Sequence, residues 1–370
     1  MHPIVDNDPR SLFLDHDVGV PKVSSPSQPS PQSDRVDANG RPAVIVIGEV
    51  LVDRFDDGHE VVGGAPMNVA WNLRGMGLDP WFVSAVGDDS TGNHIADVMK
   101  TFGLRTDGLQ TNDRPTGYVE VKVIDGEPHY DIRRDVAYDH VDAETAIRDA
   151  SAAGLFDAGT PTDSGSDALE DGISNRGILY HGSLCYRAAD TRRTIDRMKS
   201  EFTGDVFFDI NIRDGHFQAD WLDDLMRGVT ILKCNWDEIR LLSDQSSETN
   251  ASGTSGESRD TASDVEAMVA TAGRVIQRYD LRCCYLTAGA DGAHYIGRDG
   301  QTHSVETPHI ATEDFGDAVG AGDAFASRTI AGHINGESPE RILESAVGHA
   351  ARVCTLRGAT TTDRSFYPQV

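Results

Sequence analysis

A doubly wound α/β sheet covered by helices on both faces is the fold that this 370-residue chain predicts. Three observations carry the prediction. Short apolar runs dense in Val and Ile recur along the chain, as expected of parallel strands buried on both faces. Stretches long enough for crossover helices separate most of them. The composition, 38% hydrophobic and 25% charged, suits a globular chain of this length with a large buried core.

Residues 1–38, including "VSSPSQPSPQSD", are rich in Pro, Ser and Asp without sustained periodicity, and predict a mobile tail ahead of one domain over residues 39–370. "AVIVIGEVLVD" (Ala43–Asp53) reads as the first parallel strand, and "GGAPMNVAWNLRGMG" (Gly63–Gly77) as a turn into a helix. Further strands follow at "WFVSAVG", "GILYHGSL", "VFFDINI", "VTILKCN" and "CCYLTAG". One region breaks this pattern. "TGYVEVKVIDGEPHYDIRR" (Thr116–Arg134) alternates apolar and polar residues on both sides of Asp125–Gly126, which predicts an antiparallel hairpin with one wet face. With "RFDDGHEVVGG" it would form a small second sheet, a lid drawn from about residues 54–62 and 115–134. Residues 157–175 and 244–263, rich in Ser, Gly, Thr and Asp, predict solvated insertions. In "GDAVGAGDAFAS" (Gly316–Ser327) a glycine pair precedes a helical run whose Ala326, Ile330 and Ile334 share one face.

Acidic residues outnumber basic ones 60 to 33, giving a formal charge of −27 that disfavours general attraction to nucleic acid or anionic membrane. Five scattered cysteines set mostly in apolar runs read as reduced core thiols. No run reaches the length of a transmembrane helix and the N-terminus lacks a signal-peptide pattern, so a cytoplasmic location is expected. The histidines show no metal-ligand spacing.

The common phosphate loops are excluded. None of the five lysines follows a glycine, which rules out a P-loop, and "GEVLVD" supplies one glycine where a dinucleotide fingerprint needs several. Ligands of open α/β sheets bind outside the carboxyl ends of strands, which puts Asp53, the Gly63–Gly64 turn and Asn68 where a small molecule would sit. Gly320 and Gly322 allow the backbone to turn and expose consecutive N–H groups. Asp323 beside them is either a helix cap or a general base at the edge of an anion cradle.

"GGAPMNVAWNLRGMG…AVGDDSTG" early and "DAVGAGDAF" late resemble the two signatures of the ribokinase-like (PfkB) carbohydrate kinases, and the likeness runs roughly from Ala43 to Ala359. "GEVLVD", "GGAPMN" and "DINIRDG" are most similar to its fructokinase branch. Two residues depart from the pattern: Ala318 stands where a Thr is usual, and Arg328 replaces a small residue one turn into the helix.

The resemblance implies a Rossmann-like three-layer α/β/α domain with a small β lid, and an ATP-dependent kinase acting on a terminal hydroxyl of a small sugar, fructose first. The alternatives are 2-keto-3-deoxygluconate, ribose or a nucleoside as acceptor, and, in a different class, a non-catalytic sugar or nucleotide sensor. Asp323 would take the hydroxyl proton while the N–H groups of Gly320, Ala321 and Gly322 hold the charge on the transferred phosphoryl. Asp53, Gly63, Gly64, Asn68 and Arg134 would face the sugar; alternation allows only one of Arg133 and Arg134 on the inner face. Asn211 and Arg213 would lie on the phosphate path, and Thr287, Gly289, Gly292, His349 and Ala350 beside the nucleoside. Asn235 and Glu238 would organise Mg²⁺ through water, or else form a capping box. Asp317 would hold a monovalent cation such as K⁺. The lid is also the expected surface of a homodimer.

Overall fold

Strand β1 (Val44–Ile47) sends Val44 and Val46 to one helical layer and Ile45 and Ile47 to the other, and all four are buried. The same alternation recurs in the other central strands, so the near-continuous apolar runs reflect burial on two faces. The computed structural model describes residues 41–55, 58–124, 127–156, 177–244 and 262–370. The expected tail, the insertion at 157–175, the Asp125–Gly126 turn and nearly all of 244–263 lie outside the described residues.

After β1 come β2 (Leu51–Phe55), β3 (Glu60–Gly63), helix α1 (Ala65–Gly75), β4 (Trp81–Gly87), α2 (Ser90–Phe102) and β5 (Leu109–Asn112). Next are β6 (Gly117–Ile124), β7 (Glu127–Ile132), α3 (Ala143–Ala152), β8 (Ile178–His181), α4 (Ala189–Glu201) and β9 (Asp205–Asp209). The remainder is α5 (Leu222–Met226), β10 (Ile231–Asn235), α6 (Trp236–Asp244), α7 (Ala262–Tyr279), β11 (Cys283–Thr287), β12 (Ala293–Gly297), β13 (Thr302–Val305), α8 (Ala321–Ile334) and α9 (Pro339–Val353).

The large sheet runs β13-β12-β11-β10-β9-β8-β1-β4-β5, parallel from β11 to β5 and antiparallel at β12 and β13. Helices α1, α2, α8 and α9 cover one face, with Leu73, Met99, Ile330 and Ile342 among their core residues. Helices α3 to α7 cover the other, through residues such as Ile147, Ile195, Leu225, Ile239 and Val275. This is the three-layer fold expected.

The small sheet runs β3-β2-β6-β7. Its β6–β7 hairpin pairs Ile124 with Glu127 across the expected turn, while β2 and β6 are joined in parallel. The first apolar run is therefore not one strand. It breaks after Ile47, and β2 carries Asp53 into the lid, so Asp53 sits inside a lid strand instead of at the end of the first core strand. Burial on both faces makes the two halves of the run look alike, and periodicity cannot find the break.

Candidate active site

Helix α8 begins with a backbone that only glycine suits. Gly320 is left-handed at φ 79°, and a Cβ there would lie 2.4 Å from the Ala359 Cβ. Its carbonyl accepts the Ala324 N–H at 2.8 Å, which starts the helix. Among the described residues no acceptor takes the N–H of Gly320 or Gly322, whereas Ala321 N–H already donates to Ala318 O at 3.3 Å. Two of the three expected donors are thus free and the third is held in a turn.

Asp323 follows in the first turn of α8, 8% exposed, and accepts a 2.8 Å hydrogen bond from Asn68 Nδ2. Burial pushes its pKa up to about 7; Asp209 adds to the rise, while Asn68, Lys233 and Arg213 oppose it. A carboxyl titrating there is matched to proton abstraction near neutral pH. Among the described residues the Asp323 carboxylate accepts from Asn68 and from no backbone N–H at the start of α8, which leaves the capping alternative without support.

Asn68 is brought to Asp323 by the Gly63–Gly64 turn. Gly64 has φ 107°, a Cβ on it would meet Glu49 O at 2.7 Å, and its carbonyl accepts the Asn68 N–H at 2.8 Å. The Asp53 carboxylate packs over this turn, 3.1 Å from where a Gly63 Cβ would be. Burial raises the Asp53 pKa to about 6, against the pull of Arg213. Arg213 acts electrostatically on Asp53, Asp323 and Glu49 together, and so lies among the acids of one cleft. Asn211, at φ 44°, turns the chain out of β9 just before it.

A residue that sequence reasoning passed over lies beneath the anion loop. Lys233 Nζ is 3.3 Å from the position of a Gly322 Cβ, and bonds both oxygens of Asp209 at 2.8 Å. Both side chains are buried, at 8% and 0% exposure. Burial pulls the Lys233 pKa down, but Asp209, with Glu238 and Asp323, outweighs it and holds the ammonium above its ordinary value. The signal was a lysine inside the apolar strand "VTILKCN", since a buried charge requires a partner.

At the next turn, the Asn235 side chain accepts the N–H groups of Asp237 and Glu238 at 2.9 Å each, and Glu238 Oε2 accepts the Asn235 N–H at 2.8 Å. This is the reciprocal capping box. Glu238 Oε1 also accepts the Ile212 N–H at 2.9 Å, tying α6 to the loop after β9. Both its oxygens are engaged, so this donor set suits holding Mg²⁺ through the ion's own waters better than direct ligation. No cluster of three metal-ligating side chains occurs among the described residues.

Thr287, Gly289 and Gly292 line a cavity of about 610 Å³ that also meets Ala321 and Gly322. Gly289–Asp291 is the hairpin turn between β11 and β12, and its Gly289 and Ala290 form part of the wall of this cavity. Phe315, half exposed and unanticipated, lies at its edge. His349 does not line it. It is 3% exposed, bonds Asn72 Oδ1 at 2.9 Å on the other side of α9, and burial pushes its pKa down to about 3. A single helical step separates it from Ala350, which does line the cavity. Asp317 staples the anion loop, accepting the Val319 and Gly358 N–H groups at 2.8 Å each.

Arg133 and Arg134 lie beyond the end of β7, so alternation does not sort them. Arg134 donates to Gly215 O, and Arg133 pairs with Glu120 at 3.1 Å; both are exposed. The buried guanidinium here is Arg187, which grips Asp139 at 3.0 and 3.1 Å and touches His216 at 2.8 Å.

A buried carboxyl titrating near neutrality, a glycine turn with two N–H groups unpaired among the described residues and a cavity of about 610 Å³ thus meet at one helix start. Residues 37–365 match the model of the pfkB family carbohydrate kinases. The chain belongs to the PfkB family. It is accordingly a sugar kinase of the ATP-dependent kind. An ATP-dependent 6-phosphofructokinase from Thermoanaerobacterium thermosaccharolyticum is 23% identical, over 85% of this chain and 88% of that protein. Among solved structures, a fructokinase with bound ATP from Xylella fastidiosa superposes with TM-score 0.66 at 21% identity, covering 88% of this chain and 95% of that one. A 2-dehydro-3-deoxygluconokinase from Thermotoga maritima superposes with TM-score 0.67 at 18% identity, covering 86% and 96%. At these identities the superpositions establish the PfkB fold and leave the acceptor open.

Proposed function

We propose that this PfkB chain transfers the γ-phosphate of ATP to a terminal hydroxyl of a small sugar, with fructose first among acceptors and Asp323 as general base. The observation that carries the reading is the Asp323 carboxyl: buried, titrating near neutrality, and hydrogen-bonded to Asn68 at the mouth of the Gly320–Gly322 loop. Asn68 Nδ2 fixes one carboxylate oxygen and leaves the other for the sugar hydroxyl. The N–H groups of Gly320 and Gly322 meet the charge that develops on the phosphoryl group. Lys233, held to Asp209 by two bonds, sets a fixed positive charge behind the same loop. Mg²⁺, when bound through Glu238 and water, would neutralise phosphate charge. Asp53 would accept hydroxyl bonds from the sugar, and closure of the small sheet would exclude water, a competing nucleophile.

The fructokinase motifs and Asp53 favour a neutral polyol. One observation supports a second acceptor class: Arg213, which acts electrostatically on Asp53 and Asp323, has no ion-pair partner within 4 Å among the described residues, and a sugar acid such as 2-keto-3-deoxygluconate would supply one. A sensor that had merely kept the fold would not need a buried carboxyl titrating near neutrality beside unpaired N–H groups. The half-exposed Phe55 and Val61 on the small sheet support a lid-to-lid homodimer, which sedimentation would test, and buried free cysteines support a reducing, cytoplasmic setting. Assays with and without K⁺ would test a cation near Asp317.

An ADP-release assay across a panel of sugars, sugar acids and nucleosides tests the assignment directly. Turnover of fructose is expected, and Asp53→Ala should raise its KM roughly ten- to a hundredfold, the worth of a hydrogen bond to a charged group. The KM for ATP should stay within a few fold. Robust turnover of a sugar acid with none of fructose would transfer the assignment to the second class, and no turnover of any panel member would remove the kinase reading.

A further inference from the structure

Arg328, where the family usually has a small residue, is 6% exposed in α8. It binds Glu337 with one nitrogen, Nη2, at 2.9 and 2.7 Å, and its Nη1 has no partner among the described residues. With Arg341, Arg352, His349 and Ser345 it lines a cavity of about 510 Å³. Among the described residues Glu337 is the only side-chain carboxylate in that lining; Arg328 holds it at 2.7 Å and Arg341 reaches the same oxygen at 3.9 Å, while Val370 O is taken by Arg41 at 3.0 Å, so the arginines Arg328, Arg341 and Arg352 face one glutamate. A net positive cavity is unexpected on a chain of formal charge −27. His349 shares the unfinished character: its Nε2 meets Asn72 and its buried Nδ1 has no partner among the described residues.

The cavity lies across α9 from the nucleotide site. Val347, Ala350 and Ala351 face the larger cavity, while Arg341, Ser345, Gly348 and Arg352 face this one, on the opposite side of the same helix. A second connection leads to the base. His349 Nε2 meets Asn72 Oδ1 at 2.9 Å, Asn72 Nδ2 donates to Asn68 O at 2.8 Å, and Asn68 Nδ2 donates to Asp323 at 2.8 Å. Asn72 Oδ1 accepts, so His349 Nε2 carries the proton and neutral Nδ1 is left as an acceptor.

We propose that this cavity is an effector site for a small phosphomonoester, and that its occupancy is felt at Asp323 and at the nucleotide through α9 and the His349–Asn72–Asn68 chain. Phosphate oxygens match the guanidinium forks of Arg341 and Arg352 and give Arg328 Nη1 an acceptor. A hydroxyl on the same ligand is the donor that His349 lacks. The volume suits a metabolite of a few carbons with one phosphate. The coupling rests on the role proposed for Asp323; the binding does not.

The test is calorimetric titration of the full chain with glycerol 3-phosphate and with inorganic phosphate, at constant ionic strength, with a non-hydrolysable ATP analogue filling the catalytic site. One site per chain is expected, tighter for glycerol 3-phosphate, and weakened at least tenfold in Arg341→Ser/Arg352→Ser. Those arginines are exposed and outside the catalytic machinery, so basal turnover of that variant should match the parent. On the acceptor that the panel identifies, saturating ligand should change kcat or the KM for ATP about fivefold or more in the parent, and not in the variant. Equal binding by parent and variant, or none by the parent, would overturn the site; binding that leaves the kinetic constants within twofold would overturn the coupling. Calorimetry needs no acceptor, so the binding result holds or fails independently of the kinase assignment.

Discussion

Replacing Asp323 by asparagine should destroy activity and stabilise the protein, in a pH-dependent way that separates a buried base from an ordinary cap. The carboxyl titrates near 7 in the fold against 3.8 as a free group. A folded value above the unfolded one means that the native state binds more protons between the two, so stability falls as pH rises through that window. By pH 8 the cost of holding Asp323 ionised is on the order of 4 kcal/mol, at about 1.36 kcal/mol per pH unit. Asparagine keeps an oxygen for Asn68 Nδ2 and carries no charge. Asp323→Asn should therefore melt a few degrees above the parent at pH 8. At pH 5 the parent's carboxyl is protonated in the fold, and the gap should shrink to below about 2 kcal/mol. In the same variant kcat should fall by about a hundredfold or more with nucleotide binding retained, and the parent's kcat should decline below about pH 7. Thermal melts at the two pH values and a pH–rate profile provide the readouts. A variant less stable at pH 8, a stability gap indifferent to pH, or near-parental kcat would refute the reasoning.

Gly320→Ala should lower the urea midpoint by an amount equivalent to about 2 kcal/mol or more and remove activity, because the side chain meets Ala359 and the backbone is left-handed; an unchanged midpoint would count against the loop geometry. Lys233→Met leaves Asp209 buried without its cation and should cost about 3 to 5 kcal/mol, much of it recovered when Asp209→Leu is added. In Glu238→Gln the Mg²⁺ concentration for half-maximal turnover should rise several-fold with at most about 1 kcal/mol of stability lost; an unaltered Mg²⁺ response would confine Glu238 to capping. Deletion of residues 1–38 should leave melting temperature and turnover nearly unchanged, and a drop of several degrees would show that the segment docks.

Lys233 and His349 show where sequence reading stops. The core strands were legible because burial on both faces demands runs of Val, Ile and Phe, and the hairpin because one wet face demands alternation. Gly64 and Gly320 were legible because left-handed turns leave the chain few other choices. The two motifs, about 250 residues apart, announced the PfkB family. Contacts between distant segments were not legible. The bond from Asn68 to Asp323 joins residues 255 apart, and nothing local to either records it. Only the packing of α1 against α8 could bring the carboxyl into the low-dielectric position that raises its pKa. Likewise, one step around α9 put Ala350 on the wall of the larger cavity and His349 behind it, and the break after β1 moved Asp53 from the large sheet to the small one. Local chemistry fixes which conformations and reactions a segment can support; the charge state and partner of each side chain depend on what is packed against it, and that is set by the tertiary fold.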